Sequence, residues 1–550
     1  MSLVTVKRKG EADVILNAEQ GCNIYALLSA AGLMDGACGG IGRCGKCKVK
    51  APALPVAAGE KEYFSEDELS CGWRLACLHI IDGDITVELP SSAVTAVITD
   101  NGYMKQAETA PSVSKTFANG MTSVLRDGAV IAAEDSDTRN RLYGMAVDIG
   151  TTTVAAALTD MNSGATLARA TCLNSQKAFG QDVISRIGYT MQNENGLAEL
   201  NRAIAGDMAS LCRELCESAG IAGEDIYEVT VAANSVMTHL LGNVDPSSLA
   251  AFPFLPAYTG PLRFPASDLR LPVSPLAEVF CLPAISSYVG GDITAGLLAC
   301  DVRSLAGVTL FIDIGTNGEM VLSVDGKMYS CSCAAGPALE GMNISCGMRA
   351  AEGAIEDAVM DETGLHLKTI GNAAPRGICG SGLLALIGEL VRNDIIKPNG
   401  RLAEHPSVVE EAGRKQFIVD AADDIRLTQN DIRQVQLAKG AILAGVDILL
   451  QQAGISAEQV DRVLVAGQFG AHLTEKSLLL SGLLPGAFAG HISYVGNTSL
   501  SGAILCLLNA KEKEIAASAA EGVEYVELSV FPSYEKALAS AMRFNKITTP

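Results

Sequence analysis

The sequence predicts an α/β protein with a small N-terminal domain and a large C-terminal part that arose by duplication. Three observations predict this organisation. A loop rich in cysteine and glycine follows one helical segment and lies among short strands in residues 1–92. A strand that ends in Asp-Ile-Gly-Thr occurs twice, at residues 145–151 and 310–316. Residues 93–143, which are rich in Ala, Ser, Thr and Asp, separate the two parts.

Residues 1–92 carry the pattern of a β-grasp domain. Residues 4–8 alternate between apolar and polar, and residues 13–16 are expected to form their hairpin partner. Residues 23–31 have helical spacing, and residues 85–89 form a closing strand after a turn. Strands around one helix, with the loop after that helix, predict a β-grasp fold.

The loop contains three of four cysteines whose spacing is C-x5-C-x2-C-x29-C, and these are Cys38, Cys44, Cys47 and Cys77. Four thiolates on a glycine-rich loop suit an iron–sulfur cluster, because backbone N–H groups can turn towards the sulfur atoms. Structural zinc is an alternative, although only one short C-x2-C pair is present. Disulfides are a second alternative. A G-x-G-x-x-G pattern at residues 40–45 neither follows a strand nor opens a helix, so it does not predict dinucleotide binding.

Composition narrows the class of protein. The chain has 41 basic and 62 acidic side chains, so its net charge is −21, and it has no run rich in Lys or Arg. This balance argues against nucleic acid or an anionic membrane as the main partner. Neither a signal-peptide pattern nor an apolar run of transmembrane length is present, so we expect a cytoplasmic protein with reduced thiols.

Residues 93–143 are expected to form a linker or a reduced middle element. A short helix is expected within residues 119–127. Such a tether would let the small domain move between an electron donor and an acceptor.

The duplicated segments predict two phosphate-binding hairpins. In each copy a strand, a glycine turn and a second strand present hydroxyl and N–H groups at the tip. Two facing copies can clamp a polyphosphate and Mg²⁺, with Asp148 and Asp313 holding the metal directly or through water. The alternative role of each Asp is a turn cap at the end of a strand. The predicted phosphate-binding residues are Gly150, Thr151, Thr152, Thr153, Gly315, Thr316, Asn317 and Gly318.

Three later stretches complete the pattern. Residues 288–296 start a helix that contains Asp292, and residues 496–503 open another helix with small side chains. Residues 463–470 form a strand that runs into a glycine turn suited to a nucleoside. The residues predicted to contact the nucleoside are Gly467, Gln468, Phe469 and Gly470.

Both parts resemble known families. Residues 1–92, with all four cysteines and the stretch Gly72-Trp73-Arg74-Leu75-Ala76-Cys77, resemble plant-type [2Fe–2S] ferredoxin domains. Residues 144–550 resemble the two-lobed ATPases of the actin, sugar-kinase and Hsp70 superfamily, which consist of two RNase H-like subdomains. The second resemblance implies ATP and Mg²⁺ as ligands. It also implies that Asp292 orients or activates the attacking water, whereas the alternative is a helix N-cap.

The whole chain resembles the reductive activators of corrinoid proteins. The resemblance implies ATP-dependent transfer of an electron from the cluster to a Co(II) corrinoid protein of a methyltransferase system, which regenerates Co(I). It further implies an electron donor and a homodimer. Two alternatives stay open at this stage: an ATP-driven, low-potential electron donor for another enzyme, and a redox-sensing ATP-binding protein.

Overall fold

The computed structural model describes residues 2–7, 13–31, 33–34, 47–89, 102–411, 413–467 and 473–546. The described residues divide into two compact units. The first comprises residues within 1–95 together with 175–189, and the second comprises residues within 96–174 and 190–550. None of the helices in the described ranges is long and apolar enough to cross a membrane.

The first unit contains a five-stranded sheet and short helices. Its strands are β1 (Ser2–Lys7), β2 (Val14–Ala18), β3 (Lys48–Lys50), β4 (Trp73–Leu75) and β5 (Ile85–Glu88), in the order β2-β1-β5-β3-β4. Helix α1 (Ile24–Ala30) begins after Asn23, whose side chain accepts a hydrogen bond from the Ala26 N–H, and α2 spans Glu66–Ser70. The buried face of α1 packs on the sheet, so the predicted β-grasp fold is confirmed.

Residues 113–135 form a three-stranded antiparallel sheet of β6 (Val113–Ala118), β7 (Met121–Arg126) and β8 (Ala129–Asp135). The prediction of a short helix within residues 119–127 was therefore wrong. Asn119-Gly120 and Asp127-Gly128 all have positive φ, which is typical of tight hairpin turns. Buried Val113 and Val124 contact Leu142 and Tyr227, so this sheet packs within the second unit. The domain boundaries at residues 92 and 143 stay a prediction.

The second unit contains two six-stranded sheets of related topology. The first holds β9 (Tyr143–Ile149), β10 (Thr153–Asp160), β11 (Thr166–Leu173), β12 (Ile226–Ala233), β13 (Leu262–Pro265) and β14 (Glu278–Cys281), in the order β11-β10-β9-β12-β14-β13. Later strands are β15 (Val308–Ile314), β16 (Gly318–Val324), β17 (Lys327–Cys333), β18 (Ala354–Asp361), β19 (Gly364–Thr369), β20 (Gly377–Ile378), β21 (Val408–Glu411), β22 (Arg414–Asp420), β23 (Ile425–Thr428), β24 (Arg462–Ala466), β25 (Ile492–Gly496) and β26 (Val523–Tyr525). The second large sheet has the order β25-β24-β15-β16-β17-β26, while β18–β20 and β21–β23 form small sheets.

The two large sheets confirm the internal duplication. In each sheet, three consecutive strands pair antiparallel, and two later strands extend the sheet in parallel beside the first of the three. In one sheet β12 pairs with β9 and β14 pairs with β12. In the other sheet β24 pairs with β15 and β25 pairs with β24. This is the topology expected of a two-lobed ATPase fold.

Ten further α-helices lie in the described chain. They are α3 (Val183–Gln192), α4 (Gly196–Ala219), α5 (Ser235–Leu241), α6 (Gly291–Ala299), α7 (Gly380–Arg392), α8 (Gln429–Ala453), α9 (Glu475–Leu480), α10 (Thr498–Leu508), α11 (Ala510–Glu521) and α12 (Tyr534–Ala541). Helices α6 and α10 pack closely against each other, because Gly502 lets the α10 backbone approach Ala295. The first turns of α6 and α10 therefore lie next to each other.

Candidate functional site

Each of the two duplicated hairpins has a turn that is closed by a hydrogen bond from its glycine, although the first turn is one residue longer than the second. The Gly150 N–H donates to the Thr153 carbonyl over 2.9 Å, and the Gly315 N–H donates to the Asn317 carbonyl over 2.9 Å. Both turns line one cavity of about 290 Å³, which we call the hairpin cavity. The fold therefore brings together two turns that are separated by more than a hundred residues in the chain.

Most of the predicted site residues in the described ranges line the hairpin cavity. These residues are Asp148, Gly150, Thr151, Thr152, Thr153, Asp292, Asp313, Gly315, Thr316, Asn317 and Gly467. Gly318 is not among them, because it begins β16 and packs against Cys333, whose sulfur would lie 2.9 Å from an added Cβ atom. Gln468, Phe469 and Gly470 lie outside the described residues.

Three aspartates meet in the hairpin cavity, and burial raises the pKa of each. Burial raises the pKa of Asp148 to about 7. The Asn497 side-chain amide donates to the Asp148 carboxylate over 2.9 Å and opposes this rise. Burial and the charge of Asp292 raise the pKa of Asp313 to about 7. Burial raises the pKa of Asp292 itself to about 6. A cation would favour the charged form of all three carboxyl groups.

Gly467 allows strand β24 to end directly beside Asp313. Its φ is +92°, and a Cβ atom added there would lie 2.6 Å from the Asp313 Oδ1 atom. A side chain of any size would therefore displace the carboxylate or the backbone.

Helix N-termini supply positive potential at the hairpin cavity. The first turns of α6, α7 and α10 contribute Asp292, Ser381 and Ser499 to its lining. The N–H groups of a first helical turn have no partner within the helix and attract anions. Among the described residues around the cavity, Arg349 is the one cationic side chain, against five carboxylates. Backbone N–H groups must therefore carry much of any interaction with a polyanion.

Several polar residues of the hairpin cavity were missed by the sequence analysis. They are Asn234, Glu319, Glu340 and Arg349, while Asn497 lies in the predicted segment 496–503 but was given no role there. Glu319 lies opposite Asp313 in the β15–β16 register, and burial together with the charges of Asp292 and Asp313 raises its pKa well above the usual range. Its place directly after the turn of the second hairpin could have identified it, whereas the local sequence assigns no chemical role to Glu340 or Arg349.

Two asparagines, the buried Asn174 and the half-buried Asn234, hold the first turn in place. The Asn174 side chain donates to the Gly150 carbonyl over 2.8 Å, and its backbone N–H donates to the Thr152 carbonyl over 2.9 Å. The Asn234 side chain donates to Thr151 Oγ1 over 3.3 Å. These bonds fix the loop before any ligand arrives, which lowers the entropic cost of binding.

The first unit brings two of the four predicted cluster ligands together. Cys47 precedes β3 and Cys77 follows β4, and these strands pair antiparallel, so their sulfur atoms lie 3.1 Å apart. A disulfide bond is about 2.0 Å long, so the two sulfurs are too far apart for one. Cys38 and Cys44 lie outside the described residues, and the described part of the chain holds no group of three or more His, Cys, Asp or Glu that could bind a metal ion.

Polar side chains fix the backbone around Cys77. The Asn23 amide donates to the Cys77 carbonyl over 2.9 Å. The fully buried Glu60 carboxylate accepts from the Leu75 N–H over 2.6 Å and contacts His79 Nε2 at 2.9 Å. The thiol is thereby presented from a backbone segment that is held on both sides.

Two family models match consecutive parts of the chain. The model described as the RACo middle region matches residues 143–304. The model described as the C-terminal domain of RACo, the ASKHA domain, matches residues 307–549.

Curated proteins and a solved structure extend these matches. Corrinoid activation enzyme RamQ of Eubacterium limosum is 36% identical over 409 residues, which cover 72% of this chain and 69% of that protein. The Co(II) methylated amine-specific corrinoid protein reductase of Methanosarcina barkeri is 25% identical over 410 residues, 66% of this chain and 69% of that protein. The solved structure of a reductive activator for corrinoid, iron–sulfur protein covers 99% of each chain, with 31% identity and a TM-score of 0.72.

The N-terminal part has relatives of another kind. One of the subunits of the Na(+)-translocating NADH-quinone reductase of Pseudoalteromonas atlantica is 34% identical over 90 residues, 16% of this chain and 22% of that protein.

Proposed function

The chain belongs to the family of reductive activators of corrinoid proteins, and from this premise we propose that it returns a Co(II) corrinoid protein to Co(I) in an ATP-dependent reaction. The observation that carries the proposal is the similarity of the whole chain to a reductive activator of a corrinoid, iron–sulfur protein. The chemistry is the addition of one electron to the cobalt. The partner is then a corrinoid protein in its inactive Co(II) state.

The first unit would hold the redox group through Cys38, Cys44, Cys47 and Cys77 as a [2Fe–2S] cluster. When bound, such a cluster supplies one electron at low potential, around −400 mV for the plant type. Two thiolates on one tetrahedral metal lie on the order of 3.8 Å apart for metal–sulfur bonds of about 2.3 Å. Cys47 and Cys77, at 3.1 Å, reach that separation with a small outward shift, so this pair fits.

The second unit would bind ATP in the hairpin cavity. Hydroxyl and N–H groups of the turns at 150–153 and 315–317 would hold the phosphates, with help from the helix N-termini. Asp148 and Asp313 would hold Mg²⁺, and Asp292 would orient the attacking water. Because no three-ligand metal set occurs among the described residues, we expect phosphate and water oxygens to complete the coordination of Mg²⁺.

ATP is needed because electron transfer from the cluster to the cobalt is energetically unfavourable when no nucleotide is bound. Each 59 mV of unfavourable potential difference makes a one-electron transfer about tenfold less favourable. Nucleotide binding can shift the population towards a conformation in which the cobalt accepts the electron more easily. We propose further that the protein acts as a homodimer in the cytoplasm and takes its electron from a separate donor.

Anaerobic absorbance spectroscopy tests the proposal. Chemically reduced protein is mixed with a Co(II) corrinoid protein, with MgATP, with MgADP or without nucleotide. We expect the Co(I) band to grow with MgATP alone. A normal iron–sulfur spectrum and ATP turnover without any Co(I) would contradict the proposed client and favour another low-potential acceptor.

A further inference from the structure

The equivalent threonines of the two hairpins have different partners. Thr151 Oγ1 in the first turn accepts a hydrogen bond from the neutral amide of Asn234 over 3.3 Å. Thr316 Oγ1 in the second turn donates to the Glu340 carboxyl group over 2.6 Å. The duplicated fold therefore places a carboxyl group on the second phosphate hairpin where the first has an amide.

Glu340 is tightly held in this position. It ends the short turn Pro337–Glu340, next to the fully buried Leu339, and it lines the hairpin cavity. Burial raises the pKa of its carboxyl group, while hydrogen bonds from the hydroxyl and backbone of Thr316 and the charge of Arg349 act in the opposite direction. The Thr316 carbonyl also accepts from the Gly336 N–H over 2.8 Å, so the two loops are joined twice.

The turn of Glu340 is packed directly against the segment that carries Arg349. A Cβ atom added to Gly341 would lie 2.3 Å from the Met348 carbonyl oxygen. The backbones on either side of this contact therefore lie in adjacent, closely packed segments.

A phosphate group and a carboxylate cannot use the Thr316 donors together. Both are anions that seek the same hydroxyl and N–H groups, and like charges at contact distance repel. We propose that Glu340 competes with the nucleotide for the second hairpin. Its carboxyl group accepts the hydrogen bonds of Thr316 in the nucleotide-free protein and moves away when a phosphate of ATP binds. The positive charge of Arg349, which acts on Glu340 in the nucleotide-free protein, then acts on the incoming phosphate. This inference rests on the proposed binding of ATP in the hairpin cavity.

Calorimetric titration with MgATP, in the absence of any corrinoid protein, tests the competition. The Glu340→Gln variant keeps an acceptor for Thr316 but loses the charge, and we expect its Kd for MgATP to fall about tenfold, equivalent to about 1.4 kcal/mol. Glu352→Gln is the matched control, since it removes the same charge from an exposed position of the same segment and should leave the Kd unchanged. An unchanged or weakened affinity of Glu340→Gln would overturn the proposal.

Double variants locate the competition on Thr316. In a Thr316→Val background the gain from Glu340→Gln should be smaller, because only the charge repulsion is then relieved, whereas in a Thr151→Val background the full gain should persist. Equal gains in both backgrounds would overturn the proposal. Glu340→Asp provides a second route, because it keeps the charge but withdraws the carboxylate by one methylene, and it should also tighten binding.

The readout separates this inference from the proposed function. Tighter MgATP binding by Glu340→Gln supports the competition whether or not Co(I) is formed in the spectroscopic assay. A wild-type chain that binds no MgATP would overturn both the ATP site and the competition.

Discussion

Replacing Gly467 by alanine tests the hairpin cavity through a single methyl group. Gly467 has a φ of +92°, and its added Cβ atom would lie 2.6 Å from Asp313 Oδ1. A carbon and an oxygen atom normally approach to about 3.3 Å, so the carboxylate must retreat by about 0.7 Å or the turn must move. The left-handed backbone adds a strain of about 1–2 kcal/mol.

The expected result is a large loss of ATP hydrolysis with a small loss of stability. A displacement near 1 Å in a positioned group costs about a hundredfold in rate, so Gly467→Ala should hydrolyse ATP about 30- to 100-fold more slowly. Gly454→Ala is the matched control. Gly454 ends helix α8 with a φ of +72°, and nothing lies within 4 Å of its added Cβ atom.

The two variants share the backbone strain and differ in the contact with Asp313. Steady-state ATP hydrolysis and MgATP affinity are measured for both, with thermal unfolding to verify that each is folded. Gly454→Ala should lose stability and retain activity. If the ATP hydrolysis rate of Gly467→Ala were within about threefold of the rate of Gly454→Ala, ATP hydrolysis would not depend on the exact position of the Asp313 carboxylate.

Three further predictions use other parts of the chain. Cys77→Ser should lose the visible iron–sulfur spectrum and keep its MgATP affinity within about twofold; a joint loss of both in a folded protein would contradict the division into two modules. Burial raises the pKa of Asp148 and that of Asp313 to about 7, and Mg²⁺ prefers charged carboxylates, so two protons must be displaced below that pH. At fixed Mg²⁺, MgATP affinity should therefore fall by up to about a hundredfold per pH unit below pH 7 in the wild type, and by up to about tenfold in Asp313→Asn. Burial lowers the pKa of Lys439 to about 8, so above that pH the unfolded chain binds more protons than the folded chain. Stability against thermal unfolding should therefore rise between about pH 8 and 10 in the wild type, but not in Lys439→Met.

Local patterns predicted the parts of the fold that repeat or alternate. The duplicated Asp-Ile-Gly-Thr segments gave both hairpins, because the same residues fold the same way in two copies. The small β-grasp domain was predicted from alternating strands and one segment with helical spacing. The hairpin at residues 113–126 was missed although Asn119-Gly120 marks its turn, since a short alternating segment was interpreted as a linker.

The polar partners of the site were harder to predict, because they depend on contacts between distant segments. Thr316 and Glu340 are 24 positions apart, and Asp148 and Asn497 are 349 positions apart. No spacing rule connects such pairs. Glu319 is the exception, since it lies beside a predicted site residue and its burial against Asp313 follows from the hairpin itself.

The central claim is that nucleotide bound in the hairpin cavity drives reduction of a corrinoid. The most direct measurement is the rate of Co(I) formation, by anaerobic absorbance, with MgATP and either the wild-type chain or Asp313→Asn. The asparagine is nearly isosteric with the carboxyl group it replaces, so the fold and the iron–sulfur spectrum should be kept. We predict Co(I) formation at least about tenfold slower in the variant. Equal rates in two proteins with equal cluster content would contradict the account.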